Sequence, residues 1–318
     1  MPPSAFWSPQ QHISGITLVR KLGQGGMAEL WLGVDDGRRV AVKRLLPDLV
    51  GESEVQALFL DEMRVTRELN HPNICRVLKL GHEGPVPWLE LELLAGDPAS
   101  AILQRAGAAN VRWPVPLVAS VLRSVARALA YAHGLALQVV HRDVSPNNVF
   151  ICWDGGVKVL DFGIAHAVGR TVRTRTGEFR GSMSYASPEQ VRGEKVDPRA
   201  DQFSLGAVAF ELLTGKKLHA KKSAFQVMAA LTESVEPFPR VDAVSPLVHP
   251  KLADVVARLL ERDPARRFAS MADVAAALTA WLDETCDAAS CDAAALSAFV
   301  HTLCAARIAE QAAQYEGA

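Results

Sequence analysis

His141-Arg-Asp143-Val-Ser-Pro-Asn-Asn148 is followed, after a hairpin signal, by Asp161-Phe-Gly163. These residue types suit phosphoryl transfer, which asks for positioning and charge neutralisation more than covalent chemistry. Such a site needs an acceptor for a hydroxyl proton, hard oxygen ligands for a divalent cation, and a fixed cation on the phosphates. Asp143 can supply the first. Asn148 and Asp161 offer oxygen ligands of the kind Mg²⁺ takes. Lys43, closing the apolar strand Val40-Ala-Val-Lys43, supplies the cation. A lysine on the buried side of a strand needs a carboxylate to keep it charged and aimed, and Glu62 is the candidate. Glu68 is the rival acid, on a different helix face. Each group alone is commonplace, and a strand-end lysine is usually an edge charge. Their order and spacing together set them apart.

A glycine-rich turn precedes them. Gly23 and Gly25 lie between two strand-like segments, where backbone amides can close over phosphate oxygens with no Cβ in the way. Taken alone, the same residues fit a hairpin with a glycine bulge. A Rossmann fingerprint is excluded because a strand follows, not a helix. A P-loop is excluded because no Gly-Lys-Ser/Thr ends the run.

The elements that must hold these groups divide the chain in two. Ile16–Lys21, Glu29–Gly33 and Arg38–Arg44 read as strands, the last two split by Asp35-Asp36-Gly37, a hairpin signal. Glu54–Asn70 has helical periodicity, ended by His71-Pro72. Short strands follow near Cys75–Leu80 and Trp88–Leu93. From Val115 the texture changes: Leu117, Val118, Val121, Leu122, Val125 and Leu129 form an apolar stripe at helical spacing. Strands near Val149–Cys152 and Val157–Leu160 are joined by Asp154-Gly155-Gly156. Ala165–Gly181 reads as a long loop rich in threonine and arginine. Gln202–Thr214, Phe225–Thr232, Lys251–Glu261 and Met271–Leu282 read as helices, and Ala288–Ala313 as a further Ala-rich helix or pair of helices.

Composition narrows the function classes. The 318 residues are 49% hydrophobic and 22% charged, as in globular proteins, with a formal net charge of -1. No basic field is present for nucleic acid. The N-terminus has no cationic segment and does not read as a signal peptide. Val115–Val140 is the most apolar stretch, but Arg123, Arg127 and His133 interrupt it where lipid would face, so no membrane span is expected. Five scattered cysteines suggest reduced thiols and a cytoplasmic protein. Cys286 and Cys291 lack companion ligands for a metal.

The motif set resembles the protein-kinase signature, with wording similar to bacterial eukaryotic-like (Hanks-type) serine/threonine kinases. Ser187-Pro188-Glu189, preceded by Gly181-Ser-Met-Ser-Tyr185, resembles the Ala-Pro-Glu motif. Asp201-Gln-Phe-Ser-Leu-Gly206 resembles the central-helix motif and Asp263-Pro-Ala-Arg-Arg267-Phe the late arginine motif. The resemblance covers about residues 15–282. It implies an α+β, bilobal fold: an N-terminal extension (1–14), a β-rich lobe with one main helix (about 15–92), a largely helical lobe (about 95–282), and an Ala-rich helical tail (283–318). It implies ATP and Mg²⁺ as cofactors, transfer to Ser/Thr hydroxyls of protein substrates, and room for a homodimer that autophosphorylates in trans.

Carried over by position, Asp143 would be the catalytic base, and Asn148 and Asp161 the Mg²⁺ ligands. Lys43 would bind the α/β-phosphates and pair with Glu62. Leu22, Gly23, Gln24, Gly25, Gly26, Leu30 and Ala41 would line the nucleotide. Glu92–Leu94 would form the hinge whose backbone reads adenine, with Leu91 as gatekeeper. Arg267 would pair with Glu189. Arg142 would receive a phosphate on the loop, where Thr171, Thr174 and Thr176 are candidates for autophosphorylation. The sequence departs from the pattern at Ala28, at Thr66 and at Ser145, where serine/threonine kinases usually carry a lysine. Ser182, at a conserved-hydroxyl position, favours serine/threonine over tyrosine. The rival readings are a pseudokinase scaffold that binds nucleotide without efficient transfer and a small-molecule kinase. The second conflicts with the Ser-Pro-Glu turn and the late arginine motif.

Overall fold

The computed structural model describes residues 7–162, 183–220 and 223–316. The chain divides into two compact units. One holds the residues through Ala95 and those from Ala309. The other holds Gly96–Phe162 and the later residues through Ile308.

The first unit is an antiparallel sheet of β1 (His12–Ile13), β2 (Ile16–Gln24), β3 (Ala28–Asp35), β4 (Arg38–Leu45), β5 (Val77–Glu83) and β6 (Val86–Glu92). Its strand order is β1-β2-β3-β4-β6-β5. Asp36 and Gly37 both take positive φ, 47° and 75°, so the β3–β4 turn is the two-residue hairpin that their types favour. Strand alternation gives the sheet two apolar faces. Val40 and Val42 join Trp7, Ile13, Ile16, Leu18, Trp31 and Trp88 on one. Leu45, Val77 and Leu89 join Val55, Phe59 and Met63 of α1 (Ser53–Arg67) on the other. Residues ahead of Ile16, expected as an extension, contribute β1 and the buried Trp7. The Trp7 ring lies under the Arg44 guanidinium at 4.3 Å, and its Nε1 donates to Glu83 at 2.5 Å.

The second unit opens with a small sheet of β7 (Gly96–Pro98), β8 (Val149–Cys152) and β9 (Val157–Val159). Helices α2 (Ala99–Ala108) and α3 (Val115–Gly134) follow β7, and α3 buries the expected stripe. Next come α4 (Pro188–Arg192), α5 (Arg199–Thr214), α6 (Ala224–Thr232), α7 (Val241–Val244), α8 (Pro250–Leu259) and α9 (Met271–Thr285). From Ala200 to Leu213 α5 is buried on every side, the mark of a core helix. It ends at Gly215, whose φ of 68° is the left-handed cap that glycine supplies. The Ala-rich stretch becomes α10 (Ala293–Glu316), interrupted at Cys304, where φ is -119° and ψ is 15°. Both α3 and Ala288–Tyr315 are long and apolar enough to cross a membrane by composition. In this fold Leu296, Val300 and Cys304 are buried.

Candidate active site

Within the first unit, β4 carries the fixed cation. Lys43 stands between Leu30 on β3 and Leu89 on β6, on the face that packs against α1. Glu62 borders the buried stripe of α1 and meets it: Lys43 Nζ lies 3.1 Å from Glu62 Oε1. Glu68 is the exposed C-cap of α1 and takes no part in this pair. Thr66 donates its hydroxyl to the Glu62 carbonyl at 2.7 Å. Two residues before Lys43 on the strand, Ala41 pairs with Leu91.

The glycine turn joins β2 to β3. The register slips between Lys21 and Gly23, so Leu22 bulges, and Gln24 ends β2 opposite Glu29. Gly25 N donates to Ala28 O at 2.8 Å, closing the turn that contains Gly26. A Cβ on Gly23 would meet nothing within 4 Å, and one on Gly25 only Ala28 O at 3.8 Å. On steric grounds neither position requires glycine. At the end of β6 the Glu92 side chain receives from the Arg76 amide, and the Glu92 N–H donates to the Arg76 carbonyl. Leu93 and Leu94 follow β6.

Within the second unit, the loop from His141 to Asn148 is held from several directions. Asn148 Nδ2 donates to the Asp143 carbonyl at 2.8 Å and to Asp143 Oδ2 at 3.1 Å. The Leu160 amide donates to Asn148 O at 2.9 Å, which sets Asp161 beside Asn148. His141 accepts from the Asp143 amide at Nδ1 (3.2 Å), so its Nε2 carries the proton and donates to Leu160 O at 2.9 Å. Its ring also rests on that of the fully buried Phe162, 4.7 Å between centroids. Arg142 and Asp161 both have positive φ, 66° and 45°. Such conformations in non-glycine residues persist only where surrounding bonds over-determine them.

Asp201 on α5 provides much of that constraint. Its carboxylate accepts from the His141 amide (2.8 Å), the Arg142 amide (2.8 Å) and His133 Nε2 (2.7 Å). Burial alone would push this carboxyl up, but the His133 hydrogen bond and nearby imidazoles outweigh it and hold it below the ordinary aspartate value of 3.8. A depressed carboxylate stabilises the fold at pH above its ordinary value, and the effect disappears as pH falls through the folded value. Asp201→Asn should therefore destabilise the protein near neutral pH, by an amount that shrinks below about pH 4. Urea midpoints of the two proteins between about pH 3 and 7 measure this, and parallel curves would refute it.

The Ser-Pro-Glu segment is tied to the same loop. Ser187 and Gln190 form a reciprocal capping box on α4, and Gln190 Nε2 also donates to Arg142 O at 2.8 Å. Glu189 meets Arg267 in a two-pronged pair, 2.6 and 2.9 Å. Tyr185 donates to Glu211 on α5; burial pushes both their pKa values up, which favours a shared hydrogen bond over ionisation. Ser145 is buried, 4% exposed. Thr171, Thr174, Thr176 and Ser182 lie outside the described residues. Gln190 and His133 carry roles that single-motif reading misses. The signal for Gln190 is the Ser-x-x-Gln cap spacing; nothing local marks His133.

The family defined by the protein kinase domain matches residues 16–278. Over 278 residues the chain is 39% identical to the tyrosine-protein kinase MasK of Myxococcus xanthus, covering 84% of this chain and 43% of that protein. Over 274 residues it is 37% identical to the serine/threonine-protein kinase PknA of Mycobacterium tuberculosis, covering 83% and 61%. The chain thus spans about half the length of these curated relatives. Among solved structures, the kinase domain of Mycobacterium tuberculosis PknI matches with a TM-score of 0.67 at 29% identity, covering 86% of this chain and 99% of that one.

Proposed function

The chain belongs to the bacterial eukaryotic-like (Hanks-type) protein kinase family, and from that premise we propose that it transfers the γ-phosphate of ATP to serine and threonine hydroxyls of protein substrates. The observation that carries this reading is the arrangement of Asp143, Asn148 and Asp161. Asn148 steadies one carboxylate oxygen of Asp143, leaving the carboxylate able to take the proton of an incoming hydroxyl. Lys43, aimed by Glu62, would bind the α/β-phosphates, beneath a turn whose glycines leave room for them.

The donor set suits Mg²⁺. With its amide N–H groups directed to Asp143, Asn148 has its amide oxygen left as an acceptor, and the bond from the Leu160 amide to the Asn148 carbonyl brings the Asp161 backbone near it. Among the described residues no cluster of three or more His, Cys, Asp or Glu is set to enclose a metal ion. That fits a cation which keeps water and phosphate oxygens and takes only one or two protein ligands. Asn148 and Asp161 would hold it. When bound, Mg²⁺ neutralises charge on the phosphates. The backbone of Glu92–Leu94 would read adenine.

Arg142 is the receiver for a phosphorylated threonine at 171, 174 or 176. Its Nε is buried with no hydrogen-bond partner among the described residues. Autophosphorylation in trans through a homodimer, and a cytoplasmic setting, belong to the same reading. Ser145 and the likeness to a relative named as a tyrosine kinase favour tyrosine as the second reading. Phosphoamino-acid analysis after labelling with γ-³²P-ATP separates the two. Phosphoserine or phosphothreonine is expected; phosphotyrosine alone would overturn the serine/threonine assignment.

A further inference from the structure

Helix α10 places Ser297, Val300 and Cys304 up to its break, and Arg307, Gln311 and Tyr315 beyond it, each set at the three- and four-residue spacing of one helix face. Its earlier part is seated in the second unit. Ser297 donates to the Trp153 carbonyl at 2.6 Å, and Phe299 packs edge-on against Trp113. Arg307 lies 3.5 Å from Asp97, which Arg105 also holds at 2.6 Å. The seat is close: a Cβ on Gly155 would come within 1.8 Å of the Ala293 carbonyl. In the first unit Gln311 is buried, and the Tyr315 hydroxyl donates to the Leu94 carbonyl at 3.1 Å.

We propose that Tyr315 is a specificity-determining residue of the nucleotide site, favouring adenine over purines that carry a 2-amino group. The proposal rests on the reading of Glu92–Leu94 as the adenine edge. That edge offers the Glu92 carbonyl, the Leu94 amide and the Leu94 carbonyl. The 6-amino group and N1 of adenine use the first two. The C2–H of adenine brings no strong donor to the third, so a hydroxyl bound there does not compete with ATP. A 2-amino group would require the Leu94 carbonyl and would meet Tyr315 Oη already donating to it. The acceptor is masked by a residue more than two hundred positions away in the chain.

The test compares the affinities of ATP and of 2,6-diaminopurine riboside 5′-triphosphate, each with Mg²⁺, for the wild type and Tyr315→Phe. The variant keeps the ring and loses only the hydroxyl. The diaminopurine-to-ATP affinity ratio should rise roughly 3- to 10-fold in Tyr315→Phe, the value of one hydrogen bond. An unchanged ratio would overturn the proposal. Leu94→Pro, which lacks the amide N–H, tests the underlying reading separately, in protein shown to be folded by its thermal transition. Weaker binding of both nucleotides there, with an unchanged Tyr315→Phe ratio, removes the role of Tyr315 and leaves the hinge in place. Undiminished binding in Leu94→Pro removes the hinge, and the proposal with it.

Discussion

Replacing Asp143 with asparagine is expected to cut phosphoryl transfer by about 10²- to 10⁴-fold while leaving ATP affinity close to that of the wild type. Asparagine has the same shape and can still present an oxygen to Asn148 Nδ2, so the 3.1 Å contact survives. The backbone bonds that hold the loop do not involve the Asp143 carboxylate: the Asp143 amide goes to His141 Nδ1, and Asp201 holds the amides of His141 and Arg142. What is lost is the negative charge and basicity needed to take a hydroxyl proton. Rates under single-turnover conditions, with nucleotide binding measured in parallel, separate the two effects. A wild-type rate in this variant would mean that Asp143 is not the base. Equal loss of binding and rate would mean that its role is structural.

The second large effect concerns stability. Arg267→Ala should destabilise the protein by about 3–5 kcal/mol, because it strands a buried carboxylate. Arg267 is 2% exposed and Glu189 4%. The guanidinium donates to both Glu189 oxygens and also to the carbonyls of Arg199, Glu261 and Arg262. Lysine cannot reproduce that planar fork, so Arg267→Lys should recover little. Because most of the penalty is the unpaired charge, adding Glu189→Gln to Arg267→Ala should restore part of the loss. Chemical denaturation of the four proteins tests this. A double variant no more stable than Arg267→Ala would place the penalty in the lost carbonyl contacts instead.

Much of the fold is legible in the sequence, for identifiable reasons. The β3–β4 hairpin follows from Asp36-Gly37, two residue types that tolerate positive φ. The α3 stripe and the pairing of Lys43 with Glu62 follow from periodicity, since strand alternation and helix spacing place both on one side of the sheet. The contact between Arg267 and Glu189, 78 residues apart, is visible only through family resemblance. Other parts leave little local trace. The buried face of α2 is Ala99, Ile102 and Ala106, too little apolar area for a clear periodic signal. Trp7 reads as part of an extension because nothing nearby shows that Arg44 and Trp31 will pack on it. The hold of Asp201 on the His141–Asn148 loop spans about sixty residues and depends on α5 being buried all round. The bond from Tyr315 to Leu94 spans 221 positions of sequence and leaves no local signal.

The most direct test of the central claim is transfer of γ-phosphate from ATP–Mg²⁺ to the purified protein and to a generic basic protein, with Asp143→Asn alongside. Label in the wild type that is absent from the variant is the predicted result. Absence of transfer by wild-type protein that is folded and binds ATP would contradict the account and point to a nucleotide-binding scaffold.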